Sequence, residues 1–141
     1  MDREERQVRH LEAIQGVVNR LAQNSFALKG WSVVLVSALF ALAADKSKPV
    51  FAILACVPAF AFWILDGYFL WQERRFRALY DHMRLLEETK RPDEFFSMDA
   101  SPFVGAAGSW LDAMFSGTLI PFHGVILFVI LLVMLVLRSV R

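Results

Sequence analysis

Three apolar runs constrain this chain more than any other feature of it. Residues 26–44 hold one charge, Lys29, near the start; residues 50–70 hold one, Asp66, near the end; residues 119–137 hold none. A helix crosses a hydrocarbon core with about 20 apolar residues at ~1.5 Å each, and every run has that length. In a soluble bundle, helices that are apolar all round need a larger protein to cover them. This chain has 141 residues, is 57% hydrophobic and has a mean hydropathy of +0.46, so it lacks the polar mass to do so. The expected fold is an all-α membrane protein with three spans.

The first run is read as a retained span. Ala41-Leu42-Ala43 resembles a small-x-small cleavage site, but the stretch before the run contains Asp2, Glu4, Glu5 and Glu12. A signal peptide begins with a short basic region, not a long mixed-charge one. Fifteen basic and fourteen acidic residues nearly cancel, which excludes an overall attraction to nucleic acid. The single cysteine, Cys56, lies inside the second run and excludes an intrachain disulfide.

Basic residues set the expected orientation. Arg3, Arg6, Arg9 and Arg20 precede the first span, and Arg74, Arg75, Arg77, Arg84, Lys90 and Arg91 follow the second. The other side holds Lys46, Lys48, Arg138 and Arg141. The positive-inside rule therefore predicts a cytoplasmic N-terminus and an external C-terminus.

Six segments follow. Residues 1–25 read as a cytosolic amphipathic helix, 26–44 as the first span, 50–70 as the second and 71–90 as a second cytosolic amphipathic helix. Residues 91–117 read as a cytosolic connector with an interfacial helix, and 118–138 as the third span. Leu11, Ile14, Val18 and Leu21 repeat at the three-four spacing of a coiled-coil seam. Phe76, Leu79, Tyr80, Met83 and Leu86 form a matching apolar face on the other cytosolic helix. The first two-thirds of the chain is thus expected to be an antiparallel hairpin of two long helices, turning at 44–49, with Pro58 kinking the second. Ser101 is expected to cap the interfacial helix ahead of Pro102, and Trp110 to sit at headgroup level.

Folding the hairpin about that turn places Lys29 opposite Asp66, at the cytoplasmic edge of the bilayer. Two intramembrane charges at matched depth are expected to pair, with structural pairing and a gating role both open. If a span lines a pore, the expected one is the first, with Asn24, Ser25, Ser32, Val33, Val36, Ser37 and Phe40. Its narrowest part would be the apolar Val33, Val36 and Phe40, of the kind that closes by dewetting. The third span, uniformly apolar, is expected to face lipid. Ala55-x-x-x-Ala59 has the small-residue spacing that lets helices approach closely.

Arg74, Arg77 and Arg84 share one helical face just below the membrane, with Arg75 beside it. That cluster reads either as a contact to anionic lipid or as an anion site for a nucleotide or oligonucleotide. Convergent catalytic groups are not found. His10, His82 and His123 lie on separate segments, and nucleophile elbow, phosphate loop and dinucleotide fingerprint are all missing. The expectation is no enzyme, no cofactor and no bound metal.

The words His10-Leu11-Glu12-Ala13-Ile14-Gln15, Asn19-Arg20-Leu21, Asn24-Ser25-Phe26 and Lys29-Gly30-Trp31 resemble a group of small bacterial three-span membrane proteins. So do Leu65-Asp66-Gly67-Tyr68, Gln72-Glu73-Arg74 and Phe96-Ser97-Met98-Asp99. The similarity covers most of the chain but contains no catalytic or ligand motif. In size and layout such proteins are similar to membrane effectors of anti-phage defence. The Hailong-type effector among these is an oligomeric channel controlled by a nucleotide made by a partner enzyme.

The resemblance implies a homo-oligomeric channel effector that dissipates ion gradients, controlled from its cytosolic helices by a nucleotide signal. Because three spans in one chain enclose no water path, that reading requires a homo-oligomer, for which the Leu11–Leu21 seam is one surface. The same seam is equally able to pack within the chain. Two other readings stand beside the channel: a non-conducting, membrane-anchored adaptor recruiting a soluble partner protein, and a holin-like lysis protein.

Overall fold

The computed structural model describes residues 3–44, 50–85 and 96–139. The turn at 45–49, the end of the second cytosolic stretch (with Leu86) and the start of the connector at 91–95 lie outside the described residues. Within them the protein is all-α: α1 (Arg3–Ala43), α2 (Val50–Leu54), α3 (Cys56–Leu85), a 3-10 turn (Ser101–Phe103), α4 (Val104–Ala107), α5 (Trp110–Met114) and α6 (Leu119–Ser139). Helices within 4–43, 50–85 and 119–139 are long and apolar enough to cross a membrane.

α1 runs unbroken for 41 residues because no proline interrupts it and its interior glycines, Gly16 and Gly30, meet open space. At ~1.5 Å per residue it is about 60 Å long, roughly twice a hydrocarbon core. The apolar half is therefore a span, and the amphipathic half projects from the bilayer. α3 repeats this plan in the opposite direction, and α1 and α3 pack along their length as the expected hairpin.

Pro58 acts one turn before its own position. Lacking an N–H, it leaves the Leu54 carbonyl without its helical donor, and its ring crowds that carbonyl. The helix is accordingly interrupted at Ala55, between α2 and α3. The ladder resumes at once on either side, with Ala55 N–H donating to Phe51 O (3.1 Å) and Ala59 N–H to Ala55 O (3.3 Å).

Two cores hold the molecule together. In the membrane half, Val36 of α1, Ala55 and Ala59 beside the break, and Ile126 and Ile130 of α6 form one cluster. The Ala55/Ala59 pair thus serves the close approach its spacing suggested. In the projecting half, Ile14, Leu79, Met83 and Ala100 form the second, with Leu11, Phe76, Tyr80 and Phe103 packed against it.

In this second core the Leu11–Leu21 seam packs within the chain, one of the two arrangements its spacing allows. Ile14 and Val18 are buried, and Leu11 and Leu21 half-buried, within a single chain. The reason is local: α3 supplies Leu79 and Met83 at matching register, and a tethered partner meets the seam before a second copy does.

The return segment is tied to the hairpin by His10. Its Nδ1 accepts from Phe96 N–H (3.2 Å), its Nε2 bonds Ser97 O (2.9 Å), and its ring lies 5.4 Å from that of Phe96. Phe96 adopts a positive φ of 66°, which turns the chain there. Ser101 is not the cap expected of it. Ala100 precedes the 3-10 turn, Ser101 is its first residue, and Asp99 accepts the Ser101 N–H (2.8 Å).

The expected interfacial helix is likewise divided. Gly108 adopts φ 72°, a left-handed conformation that favours glycine, and separates α4 from α5. Ser109 then opens α5 with a reciprocal capping box: its Oγ accepts Asp112 N–H (3.1 Å), while Asp112 Oδ2 accepts Ser109 N–H (2.8 Å).

Candidate functional site

The three spans meet at a small buried polar network near one end of the apolar region. α1 contributes Ser25 and Lys29, four residues apart and so on one face. α3 contributes Asp66 and α6 contributes His123. Lys29 Nζ lies 2.6 Å from Asp66 Oδ2 and donates to Ser25 Oγ at 2.8 Å. Ser25 Oγ–H donates in turn to Asp66 Oδ1. His123 Nε2 completes the set at 2.9 Å from Asp66 Oδ2. Asp66 is 0% exposed, His123 2%, and the Lys29 side chain 20%. One carboxylate on α3 therefore accepts from polar side chains of both other spans, and the two α1 residues, Ser25 and Lys29, keep partial exposure.

An aromatic wall holds this arrangement. Trp63, one turn before Asp66, stacks on the His123 ring (centroids 5.9 Å apart, planes at 11°), and Phe122 meets the same ring edge-on at 5.1 Å. The Trp63 indole N–H donates to Met114 O at 3.0 Å, and the Trp71 indole N–H donates to Gly108 O at 2.9 Å. Between these two straps sits Gly67, buried against α5; a Cβ there would lie 3.2 Å from Met114 Cα and closer still to its side chain. The α5 segment is thus clamped on α3 at the point where α6 begins, which sets the height of His123.

The capping box of α5 carries a pH dependence of its own. Hydrogen bonds from the Ser109 hydroxyl and backbone, with Arg74 nearby, hold the Asp112 carboxyl below the usual carboxylate range. A depressed folded-state pKa contributes stability that is present above the unfolded value and lost as pH falls through the folded one. Order in α5 is therefore expected to hold through neutral pH and to fall off below about pH 4. Amide exchange at 109–114 measures it, and Asp112→Asn should weaken α5 at neutral pH and abolish the acid step.

The other residues singled out from the sequence are placed as follows. Lys29 and Asp66 are brought together. The seven α1 positions suggested for a pore are not: Ser25, Ser32, Val36 and Phe40 turn toward α3 and α6, whereas Asn24, Val33 and Ser37 are exposed. One face of α1 is consumed by the hairpin along its whole length, so the set divides between inside and outside.

The four arginines are placed beside local partners. Arg77 pairs with Glu73 (2.7 Å) and Arg84 with Asp81 (3.6 Å). Arg75 bonds Gln72 Oε1 (2.8 Å) and Ala100 O (3.3 Å) and lies over the Trp71 ring at 4.8 Å, while Arg74 neighbours Asp112. In these i,i+4 and i,i+3 pairs the Arg77 and Arg84 side chains stay 62% and 58% exposed, as weak surface pairs do.

His123 is the residue that sequence reasoning missed. The third span was expected to face lipid, yet its His123, Ile126 and Ile130 face is buried. The signal was present: an ionisable side chain in the first turns of a span is itself a mark of an interior face.

The fold and its network define an all-α membrane protein whose three apolar helices are cross-tied by one buried carboxylate. Comparison with protein families, with curated proteins and with solved structures gives no match. Among the described residues no group of His, Cys, Asp or Glu is placed to hold a metal ion. Chemically the network can hold charge, pass a proton or come apart.

Proposed function

We propose that this chain is the subunit of a homo-oligomeric channel-type effector that dissipates ion gradients across a bacterial inner membrane. The proposed orientation has the N-terminus and the projecting hairpin in the cytoplasm. The observation that carries this reading is the Ser25–Lys29–Asp66–His123 network. Burying a carboxylate among three spans is expensive, and ionisable groups kept at such depth are characteristically functional. In this reading the network is the lock: while Asp66 holds Lys29 and His123, the three spans stay closed on one another.

Gly30, Val33, Ser37 and Ala41 support assembly. They follow one another at helical spacing along an exposed side of α1, where small residues permit close approach of a second copy. Control is proposed to arrive through the projecting helices, to which His10 ties the return segment. In the anti-phage reading the controlling signal is a nucleotide.

A non-conducting adaptor is the alternative, and one observation favours it. An open groove lined by Val8, Leu11, Glu12, Gly16 and Tyr80 runs along the projecting hairpin, with Val8 exposed. The two readings part on stoichiometry. Crosslinking after extraction in a mild detergent is expected to give a closed multimer of this chain alone. A monomer that co-purifies with a different protein would overturn the channel in favour of the adaptor.

A further inference from the structure

Hydrogen bonding around Asp66 uses only one nitrogen of His123. Nε2 faces a carboxylate oxygen that accepts, so Nε2 carries the hydrogen. Nδ1 is buried with no partner among the described residues, although buried polar atoms ordinarily have one. Ser32 Oγ, on the Ser25–Lys29 side of α1, is buried without a partner as well. Val36 and Ile126, each one turn further along α1 and α6, share a core cluster, which puts Ser32 and His123 at nearly the same height. Two unsatisfied polar atoms thus lie at the level of the network, and one of them is a base.

We propose that Nδ1 of His123 is a proton-binding site, and that filling it exchanges the partner of Asp66 from Lys29 to the His123 imidazolium. The charge balance gives the direction. With His123 neutral, Asp66 and Lys29 cancel; a proton on Nδ1 leaves Nε2–H in place, breaks no bond and gives the site two cations for one carboxylate. In a medium of low dielectric the surplus cation must leave or be neutralised.

Lys29 is the one that can go. It is 20% exposed at the aqueous edge on a flexible stem suited to snorkelling, and it already has the Phe122 face 6.0 Å away. His123 is 2% exposed and stacked against Trp63. Among the described residues no other charge faces the network. α2, which also packs on α6, has no titratable side chain, and the Asp112 carboxylate of α5 is occupied by Ser109. Proton binding therefore loosens α1 from α3 at this level while tightening α3 to α6. That this loosening opens a path rests on the channel reading; the proton site does not.

The test uses the full chain, uniformly labelled with carbon-13 and nitrogen-15, in phosphatidylethanolamine–phosphatidylglycerol vesicles. NMR follows His123, identified through its links to Phe122 and Gly124, from about pH 8 to pH 5. The expected result is an unprotonated Nδ1 at the alkaline end, a protonated one at the acid end, and loss of the Lys29–Asp66 contact in step. Ion flux from the same vesicles should rise as pH falls and level off once the site is filled. His123→Gln, which keeps a donor to Asp66 but has no second titratable nitrogen, should make flux indifferent to pH. An Nδ1 still unprotonated at pH 5, or a protonated one with the Lys29–Asp66 contact intact, would overturn the proposal. A full NMR transition with no flux at any pH would uphold the proton site and count against the channel.

Discussion

Asp66→Ala should destabilise the protein in bilayers by about 3–5 kcal/mol, since removing one partner of a buried pair strands the other charge. The value is expected toward the lower end because Lys29, at 20% exposure, can retreat to the aqueous edge. Asp66→Asn tests the same carboxylate with nearly its volume. Its carbonyl oxygen can still accept at the Oδ2 position with the NH2 turned to Ser25 Oγ, but the negative charge is gone and Lys29 is left without its counter-ion, so the tie between spans should weaken. Adding Lys29→Met to Asp66→Asn should recover part of the loss, because the stranded cation is then gone. Reversible unfolding in mixed micelles measures all three variants. A double variant no better than Asp66→Asn would mean the pair contributes little to holding the spans.

Gly67→Ala is expected to cost about 1–3 kcal/mol, the range for forcing an extra group into a packed site. Here the reason is backbone approach: the new Cβ meets Met114 at both its side chain and its Cα. Met114→Ala should relieve only the side-chain part, so the double variant should recover incompletely. The readout that separates this from simple loss of stability is Trp63. Displacing α5 breaks its bond to Met114 O and its stack on His123 together, which should shift its indole emission.

Much of this architecture was legible because it depends on short-range periodicity and on depth. Apolar length gave the spans, and helical spacing on either side of the 44–49 turn gave the hairpin. Lys29 and Asp66 were found as partners because each was an isolated charge in an apolar run. What periodicity does not specify is the owner of the facing surface. The Leu11–Leu21 seam reads the same whether Leu79 and Met83 or a second copy meets it, and only the fold shows the former. Averages also hide single residues: the third run is apolar enough as a whole that His123 vanished into it. The arginine pattern likewise does not specify local partners: Glu73 and Asp81 lie in the same helix and pair with Arg77 and Arg84. Ser109-x-x-Asp112 was readable as a capping box and went unread, hidden behind the apolar Trp110, Leu111, Met114 and Phe115.

The most direct test of the account is ion flux from liposomes holding the purified protein, with wild type beside Asp66→Asn at neutral pH. If Asp66 closes the three spans and their closure controls a pore, wild type should hold its gradient and leak when triggered. Asp66→Asn should change that behaviour outright, becoming constitutively leaky or silent. Flux from wild type that is identical in Asp66→Asn would contradict the lock. Flux from neither protein, under acid or alkaline conditions, would contradict the channel itself.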